Sequence, residues 1–195
     1  MEEMEKISKI KNSSKAGKTL SLIMCIICIA GCVCALVGGI VILGMGKEFD
    51  DTVQRGIDQG IITTEDSVAS AKLVNINVGD ITNIHSDVPA IQEAIDDHPY
   101  AIKFGTECLI IAVTLAVVAV LLKLINGVFD LIIKEDSPFT DKVIKRTMVV
   151  LIAVSVAMFF TTGAAFGVLG AIVTWVVYSI MDYGKTLQIQ SDETL

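Results

Sequence analysis

Residues 19–46 read TLSLIMCIICIAGCVCALVGGIVILGMG, a stretch without one charged side chain. As a helix, at about 1.5 Å of rise per residue, it is long enough to cross the ~30 Å hydrocarbon layer of a bilayer. A second apolar run, 108–133, is broken only by Lys123, Asn126 and Asp130. Two more, 147–162 and 163–181, hold no charged residue. With a mean hydropathy of +0.68 and 53% hydrophobic residues, the chain is far from a soluble domain. The pattern predicts an all-α membrane fold, a four-transmembrane-helix bundle with spans at 19–46, 105–133, 147–162 and 163–182. The first run is about twice the ~7–15 residues of a secretory h-region, so it reads as a retained span and not a cleaved leader.

Charge then predicts the threading. Lys6, Lys9, Lys11, Lys15 and Lys18 fill the lead 1–18, and Lys134, Lys142, Lys145 and Arg146 fill the loop 134–146. The longer segment 47–104 has only Lys47, Arg55, Lys72 and Lys103 among many acids. Basic residues in short loops near span ends mark the cytoplasmic side. Both termini, the loop 134–146 and the tail 183–195 are therefore expected in the cytoplasm of a bacterial cell, with the inner membrane as the location and 47–104 outside. In that outer segment Val74, Ile76 and Val78 alternate with Asn75 and Asn77, the period of a half-buried strand. Thr64 reads as a cap for a short helix or turn. Ser86 or Asp87 reads as a cap ahead of Pro89, with Ile91, Ala94 and Ile95 at helical spacing. A small extracytoplasmic α/β cap between the first two spans is the expectation, closed by Pro99.

Four of the five cysteines lie within CIICIAGCVC, residues 25–34. In water such spacing suggests a metal or redox site. On a membrane helix, however, Cys25 and Cys32 stand about 10 Å apart, too far to share one zinc at ~2.3 Å. Ser21, Cys25, Cys28, Cys32, Ala35 and Gly39 instead form a seam of small residues at alternating steps of four and three. Small side chains let helices approach closely in lipid. Acylation of Cys25 is the alternative reading. In the fourth span Gly163, Gly167 and Ala171, with Gly170 beside them, form a similar ridge, read as internal bundle packing with homodimerisation as the alternative.

Lys123, Asn126 and Asp130 share one face of the second span. Charges inside a membrane are costly and point to function by default. Near the cytoplasmic end, though, Lys123 can snorkel and Asp130 can pair with Lys134. Glu107 is expected to meet the dipole at the start of the same helix. No catalytic motif, metal set or cofactor motif is present, and the chain reads as non-enzymatic.

Two stretches carry a resemblance. DSPFTDKVIKR (136–146) and YGKTLQIQSDETL (183–195) resemble the central loop and the ending of an uncharacterised bacterial family of four-span membrane proteins. Members of that family are often encoded beside a small helix-turn-helix regulator, which implies regulation or signalling and supplies no catalytic residues. Read physically, Pro138 sets a turn, Thr140 caps the next helix, and Phe139 either anchors the bundle base or docks a partner beside Lys142, Lys145 and Arg146. The acidic tail could pair with this basic loop. The expected function is a regulatory, sensing or immunity-type interaction module, with a small transporter or channel subunit as the alternative. The bilayer, a cytoplasmic or membrane protein and a second copy are the partners considered; direct contact with nucleic acid is not expected.

Overall fold

The computed structural model describes residues 2–59, 86–135 and 137–193. Every element among them is a helix: α1 (Glu2–Met45), α2 (Lys47–Asp58), α3 (Pro89–Asp97), α4 (Pro99–Glu135), α5 (Asp141–Thr161) and α6 (Ala164–Glu193). Four of these, α1, α4, α5 and α6, are long and apolar enough to cross a membrane. Only 11% of the most apolar window of α1, and the same share in α4, is buried against protein. Leu22, Ile26, Val33 and Val37 on α1, and Phe160 and Trp175 on the last two helices, are largely exposed. Apolar surface of this extent finds its solvent in lipid.

Helix length and bilayer thickness differ in an informative way. α1 has 44 residues and α4 has 37, so they run ~66 and ~55 Å. α5, with 21 residues, is ~32 Å long, close to one hydrocarbon thickness. Polar ends therefore continue as helix: α1 includes most of the lysine-rich lead, α5 begins within the loop segment 134–146, and α6 continues into the tail. Lys, Glu and Gln are good helix formers and need not stop at the edge of the lipid.

Chain contacts divide the molecule into two compact units, one of 1–29 with 116–195 and one of 30–115. In the first, α5 and α6 form a hairpin closed at Thr162 and Gly163. Gly163 takes φ +112°, a conformation that L side chains avoid. It is a turn residue with open space where a Cβ would be, so the expected ridge through Gly163 is corrected. The working face is Gly167 and Gly170 with Thr174: a Cβ on Gly167 would collide with Phe159, and one on Gly170 with Ser155. Ala171 lies exposed to one side of it. Thr140 caps α5 by accepting the Val143 N–H.

In the second unit Gly46 turns α1 into α2 at φ +47°. Phe49 and Val53, four apart on α2, lie on the inner side of that helix; Val53 is buried and Phe49 meets Phe104 edge-on at 6.0 Å between centroids. Val88 stands at the N-cap of α3 and Pro89 opens the helix. Ser86, expected as the cap, instead accepts the Val88 N–H while its own N–H goes to the Gln92 side chain. Because Pro89 has no N–H to offer, this bond forms just ahead of the helix. Glu107 is also corrected: α4 starts at Pro99, which leaves Glu107 in the third turn, beyond the reach of the terminal dipole. The described part of 47–104 is helical and does not support a mixed α/β cap. The strand expected at 74–78 and the turn near Thr64 lie outside the described residues.

Candidate functional site

The seam on α1 faces α4, and its contacts can be followed within each unit. In the first, Asn126 donates to the Lys18 carbonyl at 2.9 Å and to Ser21 Oγ at 3.0 Å. Cys25 Sγ–H points at the Ala119 carbonyl, 3.5 Å away, and Cys28 is buried. In the second, a Cβ on Gly39 would sit 2.9 Å from the Gly105 carbonyl and 3.1 Å from Cys108, and one on Gly105 would overlap Leu43. Cys32 and Ala35 are half-buried between these contacts. As the residue number rises on α1 it falls on α4, the register of an antiparallel pair. All five cysteines are free thiols, and among the described residues no three of His, Cys, Asp or Glu gather as a metal site.

The densest polar framework lies in the first unit, around the α4–α5 loop. Lys18 Nζ donates to Asp130, and Lys134 stands 3.7 Å from the same carboxylate. The Phe129 ring occupies the space that a side chain on Gly17 would need. Lys142 pairs with Glu135 at 2.8 Å and Lys185 with Asp141 at 2.7 Å. Ser137 Oγ donates to Gln188 at 2.8 Å and accepts the Phe139 N–H at 3.1 Å. Phe139 lies against α6 where Gly184 has no side chain; a Cβ there would overlap the ring. Arg146, expected beside Lys142 and Lys145, turns its guanidinium onto α4 at Gly127.

Several of these partners were not found from sequence. Sequence spacing gives Asp130 one partner, Lys134, while Lys18 of the lead supplies a second cation. The signal was available: Lys18 ends the lead just before span one and Asp130 lies at the end of span two, so an antiparallel pair brings them to one level. The expected pairing of the acidic tail with the basic loop falls mostly outside the described residues, and the tail–loop ion pair seen has the opposite polarity. A lysine of the α6 extension meets the first acid of α5, and the side chains of Ser191 and Asp192 lie outside the described residues. Most of these ion pairs are substantially exposed, so each adds little to stability, and their effect is to fix geometry.

Between α5 and α6 an apolar groove of about 590 Å³ is bordered by Ile152, Phe159, Trp175 and Tyr178, with Ser155 and Thr174 on its floor. The two hydroxyls are 3.4 Å apart and each donates to a carbonyl of its own helix. In the second unit Asp50 Oδ1 accepts the Ala101 N–H at 2.7 Å, capping α4 from α2. Its other oxygen and His98 Nδ1 are 4.0 Å apart, and neither has a hydrogen-bond partner among the described residues although both atoms are buried. Comparison of the chain with protein-family models, curated proteins and solved structures finds no match in any of the three.

Proposed function

We propose that this multi-pass membrane protein is a non-enzymatic interaction module, regulatory, sensing or immunity-type, of a bacterial inner membrane. Both termini and the loop 134–146 face the cytoplasm in this reading, and the loop end of the first unit presents the docking surface. The observation that carries it is the framework of side-chain pairs from α1, α4, the loop, α5 and α6 that fixes one polar end. A transporter has no need of a rigid plate there, whereas a recognition surface is better when preorganised. Phe139 serves as the anchor of the plate through its contact at Gly184. Lys142 and Lys145, exposed on the first turns of α5, are the docking cations. The hydroxyls of Thr114, Ser155 and Thr174 each donate to a carbonyl four residues earlier, which lends the transporter reading little.

Affinity capture from membranes with the full chain as bait tests the reading. A reproducible cytoplasmic or membrane partner, lost in Lys142→Glu/Lys145→Glu, is the expected result. Normal insertion with every partner and phenotype retained in that variant would end it. The threading has its own check. A membrane-impermeant thiol reagent should label a cysteine placed at Asn77 in intact cells and leave one at Asp141 untouched.

A further inference from the structure

We infer that Lys123 and Arg146 form a binding site for the phosphate of an anionic phospholipid in the leaflet at the loop end of the first unit. The lysines and acids of the loop framework satisfy one another, but these two cations do not take part. Among the described residues neither has a hydrogen bond or ion pair. Both are exposed. Lys15 and Lys145 are also without an ion pair among the described residues, but each lies in a segment rich in polar residues, where water can solvate it. Lys123 is within the apolar part of α4, ~10 Å along the axis from Asp130 and ~16 Å from Lys134.

Gly127 brings the pair together. It lies one turn from Lys123 on the same face of α4, which sets their Cα–Cβ directions ~6 Å apart. The missing side chain lets the Arg146 guanidinium lie on the helix: a Cβ on Gly127 would be 3.2 Å from Nη2 and 3.6 Å from Nε. The fork of N–H donors thus lies on the same face of α4 as Lys123, one turn away. An unpaired cation at this depth is costly, and no carboxylate among the described residues pairs with either. The lipid phosphate is the anion that a bilayer itself supplies at the edge of its hydrocarbon layer, which both long side chains reach by snorkelling, and guanidinium binds phosphate through two parallel N–H···O bonds. The site needs no protein partner, so it stands or falls separately from the docking surface of Lys142 and Lys145.

The full chain, purified in a neutral detergent, is titrated with phosphatidylglycerol, phosphatidylcholine or inorganic phosphate while its unfolding midpoint and its retained lipid, by native mass spectrometry, are followed. Phosphatidylglycerol at a hundredfold excess over Kd should raise the midpoint by roughly 5 °C, with one molecule retained per chain. Phosphatidylcholine should do less, and inorganic phosphate nothing. Lys123→Gln/Arg146→Gln should abolish the shift, while Lys15→Gln/Lys145→Gln, with the same loss of charge, should keep it. Gly127→Val leaves every charge in place but lifts the guanidinium from α4, and should weaken retention about tenfold. A full shift in the Lys123→Gln/Arg146→Gln chain overturns the site, as does equal loss in the control pair. Inorganic phosphate reproducing the shift overturns the lipid assignment. If the glutamine variant does not fold, equal retention of both lipids by the unaltered chain, or undiminished retention by Gly127→Val, is decisive against it.

Discussion

Asp130 and Asp50 are both carboxylates near an end of α4, one in each unit, and they are stabilised in opposite ways. Asp130 has two lysines and remains 39% exposed. Among the described residues Asp50 has no lysine partner; it is 13% exposed and uses one oxygen to cap the first turn of α4, while the other makes no hydrogen bond and has His98 Nδ1 4.0 Å away. Counting charges would make Asp130 the more important. Burial reverses the order, because exposed ion pairs are weakened by water and side-chain entropy, whereas a buried cap satisfies a backbone N–H that has no helical partner. The first unit therefore uses its acid to align helices, and the second uses its acid to hold a helix start.

Substitutions can break that comparison, and the largest effect is expected at neither acid. Gly39→Leu would drive a side chain into the Gly105 carbonyl, an atom fixed in its helix, so α1 and α4 must separate. A destabilisation of ~3 kcal/mol or more is expected, seen as a large drop in the unfolding midpoint in detergent. Cys32→Ala should be tolerated in the same assay and Cys32→Leu should not, since the seam requires small volume and not a thiol.

Phe139→Ala comes next. The half-buried ring against Gly184 should cost ~2 kcal/mol, below the 3–5 of a fully buried aromatic. If stability is unchanged while partner capture fails, the ring is a docking residue and the anchor assignment is wrong. Asp50→Ala should follow at ~1 kcal/mol, the usual loss for a helix cap, with hydrogen exchange accelerated over the first turn of α4. The smallest effects belong to the exposed pairs. Asp130→Ala and Lys185→Ala should leave the midpoint unchanged within error and be insensitive to salt. An Asp130 variant that loses more stability than the Asp50 variant would invert the comparison.

Residues 19–46 determined by themselves that the chain is helical and lipid-solvated, because an uncharged run of that length has no other stable environment. The alternating small residues likewise specified which stripe of α1 meets a neighbour. Short periodic signals govern such features, and they are complete within one helix. What the sequence left open depended on distance in the chain. Lys18 with Asp130, Lys185 with Asp141, and Phe139 over Gly184 each join segments whose meeting depends on helix register and on how far α6 continues past the lipid. Gly163 fits the spacing of a ridge, yet its φ of +112° makes it the residue of a turn, and spacing does not separate the two. Sequence proximity groups Arg146 with Lys142 and Lys145, and only the approach of α5 to a glycine on α4 lays its guanidinium on that helix: local pattern sets which face is apolar, but the surroundings of a charge are chosen by tertiary packing.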